Sequence, residues 1–209
     1  MRRISVWLTI MLAFPVLVSS QTQEAFNEIA PFSEGLAAVR KGSQWGFIDA
    51  KGNLAIDFRS DLVWNKNADT SASGIKGISY PIFKDGRCLV KKMEDEIPIY
   101  GFIDTTGGLI IDHQFLNVTP FENGYTTGVV FEKVFRGNNE FNLRIYDYKF
   151  HDVLMDSSGK IVEFFDRRYN IQLTKRRYEL PDLGTKLLLK NLIAIRTADK
   201  LWKIRKLDL

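Results

Sequence analysis

The chain has 209 residues, 45% of them hydrophobic and 26% charged, with a formal net charge of +4. Its single cysteine, Cys88, excludes an intramolecular disulfide, so packing and hydrogen bonds must hold the fold. After the first twenty residues no segment is long and apolar enough to span a bilayer, and the remaining length predicts one domain with one hydrophobic core.

Arg2 and Arg3 precede an apolar run from Ile4 to Val18, and "VSSQ" follows with small residues. This is the layout of a secretory signal over 1–20, cleaved between Ser20 and Gln21. Ser5, Thr9 and Pro15 interrupt the run, which is shorter than the roughly 18 residues of a retained anchor. The expectation is an exported chain, periplasmic or at the cell surface, with residues 21–30 as a lead-in.

From residue 31 the sequence repeats. "PFSEGLAAVRKGSQWGFIDAKGNLAIDF" aligns with "PIFKDGRCLVKKMEDEIPIYGFIDTTGGLIIDHQF", so that Trp45, Gly46, Phe47, Asp49 and Gly52 match Tyr100, Gly101, Phe102, Asp104 and Gly107. A third copy opens at "PFENGYTTGVV" and resumes at "VLMDSSGKIV" with Asp156 and Gly159, after an insertion that reads as a hairpin across "RGNNE". The units span 31–64, 81–118 and 120–163, within a repeat region of 31–162. Residues 164–209 are predicted to be basic C-terminal strands with a partial fourth copy, in which "NLIAIRTADKLW" echoes "GLAAVRKGSQW".

Within a unit the apolar period is two, which predicts about three short strands per unit and an all-β fold of tandem antiparallel meanders in an elongated or curved array. Proline is read at unit edges and in loops only. Residues 65–77 are expected to be an irregular, mobile loop. "DAKG", "DTTG" and "DSSG" read as four-residue turns: the aspartate accepts a backbone hydrogen bond and the glycine takes positive φ. Trp45 and Tyr100 supply rings to cover a neighbouring unit, and Gly46 and Gly101 admit a close backbone, a pairing expected to stack repeats. Cys88, alternating with Val90, is expected to be a buried small hydrophobe.

These residues resemble the WG-repeat family of bacterial β repeats, whose pattern runs from an acidic residue and Gly-Leu-Ala-x-Val to Trp-Gly-Phe-Ile-Asp and a glycine three positions on. "EGLAAVRKGSQWGFIDAKG" follows it closely; copy two replaces Trp with Tyr100, and copy three keeps only the turn aspartate. The resemblance implies a tandem β architecture and an interaction role, and it transfers no catalytic residue.

Catalytic readings are thin. His113 and His151 occupy unrelated repeat positions, so neither a metal site nor a cofactor is expected. Asp57 and Asp112 form the best available carboxylate pair for a glycosidase, although polar strand ends explain their repetition better. Charge is uneven: residues 22–164 hold 15 Lys and Arg against 20 Asp and Glu, and 165–209 hold 12 against 5. The tail is therefore expected to complement the body. Arg167, Arg168, Tyr169, Arg176, Arg177 and Tyr178 are the candidate ligand-binding residues within 166–180, a stretch otherwise read as an amphipathic strand. For an exported chain the partners expected are a protein at the envelope or an anionic glycan, not nucleic acid. The function expected is non-catalytic binding or scaffolding.

Overall fold

The computed structural model describes residues 25–169 and 171–208. The expected signal at 1–20 lies outside the described residues. Among them, regular structure consists of β-strands and one 3-10 turn, Gly74–Gly77. After a short strand β1 (Glu28–Ile29), a three-stranded antiparallel meander occurs four times. The first is β2 (Leu36–Lys41), β3 (Gln44–Asp49) and β4 (Leu54–Arg59), and the second is β5 (Cys88–Glu94), β6 (Ile97–Ile103) and β7 (Leu109–Val118). The third is β8 (Tyr125–Asn138), β9 (Arg144–Asp156) and β10 (Ile161–Arg168), and the fourth is β11 (Thr185–Leu189), β12 (Leu192–Arg196) and β13 (Trp202–Lys206). Strand β7 pairs with β8, so meanders two and three share one six-stranded sheet. Strands β1–β4 and β11–β13 form two further open sheets.

Two turns organise each unit. Ahead of the first strand, "SEGL", "KDGR" and "ENGY" place both central residues at positive φ, the type I′ geometry that suits the twist of a hairpin. The acidic residue of one such turn serves the next. The Glu34 carboxylate accepts the Gly86 N–H at 2.8 Å, and the Asp85 carboxylate accepts the Gly124 N–H at 2.6 Å.

The second turn joins strands two and three. Lys51 and Asn53 N–H groups donate to Asp49 Oδ1 at 2.8 and 2.9 Å, and Asp104 and Asp156 repeat the pattern. The same backbone bonds recur at Asn139–Asn142 and at Thr197–Lys200, where Asn142 and Lys200 take the left-handed place of glycine. Thr197 thus stands where Asp49 does. "NLIAIRTADKLW" runs from second to third strand, and Trp202 opens β13 and does not occupy the Trp45 position, as the sequence alignment had it. Apolar alternation is alike in every strand, so it could not fix that register.

Opposite Gly46 and Gly101 the third strand bulges. A Cβ on Gly101 would stand 2.6 Å from the Ile111 carbonyl oxygen, and one on Gly46 would stand 2.9 Å from that of Ile56. Each glycine therefore admits a strand of its own meander. Contact between units falls instead to the second turn and the rings: a Cβ on Gly107 would meet Ile56 at 3.2 Å, and one on Gly159 would meet Ile111 at 3.3 Å.

Among the described residues, buried side chains gather into four clusters, not the single core expected from length. Trp45, Phe47, Phe83, Cys88, Val90 and Ile103 join units one and two. Phe102, Phe115, Phe121, Val153 and Met155 join units two and three. A further cluster covers the other face of the large sheet, and Leu154, Ile193 and Ile195 join units three and four. Residues two before the second turn (Phe47, Phe102, Leu154) look forward to the next unit, and those one before it (Ile103, Met155) look back. The fourth unit breaks this rule. Ile193 and Ile195 face backward, so the terminal meander is turned over.

Two further expectations change. Pro98 lies within β6, opposite Met93. The two-residue turn at Asp95 and Glu96 makes Glu94 and Ile97 the bonded pair, so the missing N–H at Pro98 points away from β5, where β7 pairs only from Tyr100 onward. The loop at 65–77 is anchored at its second half: Ile75 is buried and its N–H donates to Asn117 Oδ1 at 3.0 Å, while Asn65 Nδ2 donates to the Ile75 carbonyl at 2.6 Å.

Trp45 is 1% exposed, edge-on to Trp64 at 5.7 Å, and its indole N–H is buried without a hydrogen-bond partner. Trp45→Ala should cost about 3–5 kcal/mol in urea unfolding. Trp45→Phe, which removes the orphaned donor, should cost clearly less. The turn aspartates are held below the usual carboxylate range. The Asn53 N–H does this at Asp49 and the Thr106 hydroxyl at Asp104; at Asp156 desolvation opposes the shift, and the Ser158 hydroxyl together with the Lys160 and Ser158 N–H groups outweighs it. Their depressed folded-state values add stability above the unfolded carboxyl value of about 3.9, and that stability is lost as pH falls through the folded values. Asp104→Asn should flatten this acid limb, because Asn139 shows that the amide forms the same turn without titrating. An unchanged pH dependence of the urea midpoint would count against the assignment.

Candidate functional site

The repeat-motif residues lie inside the molecule or in its turns. Trp45, Phe47, Tyr100 and Phe102 are buried at unit junctions, and burial pushes the Tyr100 phenol up to about 12 and the Cys88 thiol likewise to about 12. Asp57 and Asp112 stand exposed in the bulges opposite Gly46 and Gly101. Asp112 accepts the His113 N–H at 2.9 Å, and His151 sits edge-on to Phe164 at 5.4 Å. Among the described residues, no three His, Cys, Asp or Glu side chains converge as metal ligands, and no helix is long and apolar enough to cross a membrane.

The basic stretch at 166–180 is not a strand beyond Arg168. Strand β10 ends there, and the segment that follows lies as an irregular strap across the large sheet, turning where the Arg177 and Tyr178 N–H groups meet the Thr174 carbonyl. Apolar anchors decide this course. Ile171, Leu173 and Tyr178 pack on Ile97, Ile99, Leu116 and Phe150, and the Tyr178 hydroxyl donates to the Leu116 carbonyl at 3.3 Å. Burial raises the Tyr178 phenol pKa.

Several of the cations are occupied by acids of the body. Arg168 forks onto the buried Asp152 carboxylate at 2.5 and 3.0 Å, Lys175 pairs with Glu96, and Arg205 pairs with Glu163. The hydrogen bond to Asp152 raises the Arg168 pKa. Sequence reading missed Asp152, whose carboxylate also accepts the Gly184 N–H at 3.1 Å, and the buried Asn117, whose amide binds Ile75, Val118 and the Pro181 carbonyl. Their signal was a polar residue at an apolar position of a strand, Asp152 before "VLM" and Asn117 inside "FLNV".

Two surfaces remain open. Lys76, Arg167, Tyr169 and Arg177 line a groove of about 1060 Å³ beside the strap, which Glu179 and Asp182 also border. Arg167 lies over the exposed Tyr169 ring at 5.1 Å, and Arg176 is exposed on the strap. The second surface is the β8–β9 hairpin. Strand β7 accompanies β8 only to Val130, and β10 accompanies β9 only to Phe150, so the hairpin continues outward as a two-stranded arm. Its register places Phe131, Lys133 and Phe135 opposite Phe150, Tyr148 and Tyr146 on one face. Lys133 Nζ sits 4.6 Å from the Tyr146 ring centre, and Phe141 and Leu143 at the tip are exposed.

Arg168→Ala would leave the Asp152 carboxylate buried without its cation and should cost about 3 kcal/mol or more in urea unfolding. Arg177→Ala, on an exposed side chain, should change stability by less than about 0.5 kcal/mol. Equal effects of the two would contradict these roles.

A model described as "WG containing repeat" matches residues 25–45, 45–65 and 100–127. The first two matches span unit one, and the third runs from Tyr100 in β6 through β7 to the first residues of β8. Searches of curated proteins and of solved structures returned no match. Three matches on a chain whose meanders repeat the same turns establish it as a WG-repeat protein.

Proposed function

We propose that this protein is a non-catalytic binding module exported to the cell envelope, and that the β8–β9 arm is its contact surface for a protein partner. The observation that carries this reading is the continuity of the arm's aromatic face with the core. Phe131 and Phe150 pack under the strap, and the same row runs out through Tyr148, Tyr146 and Phe135 into solvent. An apolar row that leaves the core uncovered, while the Arg136–Asp147 and Lys149–Glu132 pairs occupy the opposite face of the arm, gives the hairpin one aromatic side and one charged side, and the aromatic side has the anchors of an interface. Export rests on the layout of residues 1–20, and the non-catalytic reading on Asp57, Asp112 and the two histidines lying on strands and bulges with no shared cleft described.

A photo-crosslinker at position 141 in cells should give a discrete adduct that Phe135→Ser with Tyr146→Ser abolishes, while a crosslinker on the opposite turn at Lys51 gives none. Adducts that ignore the double variant would sink the assignment. A second reading, recognition of an anionic glycan, is favoured by the groove with Arg167, Tyr169 and Arg177. It requires an acidic oligosaccharide to bind with an affinity that Arg167→Ala and Tyr169→Ala reduce at least about tenfold, since stacking and ion pairing each contribute on that scale.

A further inference from the structure

We infer that the outward face of the terminal meander is a docking surface for an anionic lipid bilayer. Because this unit is turned over, the side that would have met unit three looks away from the molecule. Its residues follow from the register: Leu189, Leu192 and Lys206 form one cross-strand row, Lys186, Ala194 and Ile204 the next, and Arg196 and Trp202 the third. Trp202 is 49% exposed, Leu189 60%, Ile204 66%, and Leu201 in the adjoining turn 68%.

The composition of this face selects its occupant. Every strand position on it is apolar or cationic, and none is acidic. The acids near it stand at its edges: Asp182 is 4.0 Å from Arg196, and Glu122 borders the groove that Lys186 lines. Residues 185–208 hold seven Lys and Arg against two Asp. A second copy would bring like charges together, so self-association through this face is opposed. A bilayer with anionic headgroups meets both demands. Lysine and arginine are drawn to its surface potential, their stems lie along apolar neighbours, and Trp, Leu and Ile enter the boundary between headgroups and acyl chains. Tryptophan favours that depth because its ring is apolar with a polar edge. On the opposite face of the same sheet Arg205 is engaged inward, with Glu163 and Phe165, and Ile193 and Ile195 pack against unit three.

This surface is separate from the arm, and the two are tested apart. Mature protein beginning at Gln21 is titrated with vesicles of phosphatidylglycerol and phosphatidylethanolamine and with vesicles of phosphatidylcholine. Preference for the anionic vesicles is expected, with tryptophan quenching by brominated acyl chains that Trp202→Phe removes. Ile204→Asp with Leu189→Asp should weaken binding about tenfold or more, as should Lys186→Glu with Lys206→Glu if the aspartate pair fails to fold. Phe135→Ser with Tyr146→Ser should leave vesicle binding unchanged. Quenching that survives Trp202→Phe, or affinity untouched by both surface pairs, overturns the inference. Retention on an acidic polysaccharide without vesicle binding overturns it in favour of a glycan.

Discussion

Each meander carries apolar side chains on both faces and has only one layer with which to cover them. Burial must come from the neighbouring unit, and that dependence shapes everything else in the molecule. Units one and two share Phe47 and Ile103, and units two and three share Phe102 and Met155. Hydrogen bonds hold the stacking in register. A carboxylate from one leading turn caps the glycine of the next, and Arg59 and Arg87 reach forward to the Gly107 and Ser157 carbonyls of the following unit. Cohesion is spread along the array, without a centre.

Much of this was legible in the residues, because the signals were local. A turn needs an acceptor and a left-handed residue within four positions, and "DAKG", "DTTG" and "DSSG" state both. A strand needs period two, and copies one and two show it. Unread parts depended on partners far away in sequence. Nothing beside Asp152 announces Arg168, and nothing beside Ile75 announces Asn117. The stretch at 166–180 has the alternating composition of a strand, but beyond Arg168 its course is set by Ile171, Leu173 and Tyr178 against another unit's core. The terminal copy was read one strand out of place because Thr197 and Lys200 build the turn without aspartate or glycine.

The basic tail illustrates how composition divides between fold and function. Arg168, Lys175 and Arg205 are spent on carboxylates of the body, so part of the charge asymmetry is internal complementarity. What remains outward is sorted: Arg167 and Arg177 border the groove, and Lys186 and Lys206 flank the apolar face of the last sheet. Aromatic residues sort likewise. Those of the WG motif are sealed at junctions, whereas those of the inserted hairpin stand in solvent, which separates a scaffold made by repetition from surfaces added to it.

The turned-over last meander also changes what a unit offers beyond itself. Units one and two present Phe47 and Phe102 to the meander that follows, whereas the last sheet presents Leu192, Ala194, Ile204 and Trp202 among Lys186, Arg196 and Lys206. One inverted sheet thus replaces the aromatic face that recurs along the array with a face of different chemistry.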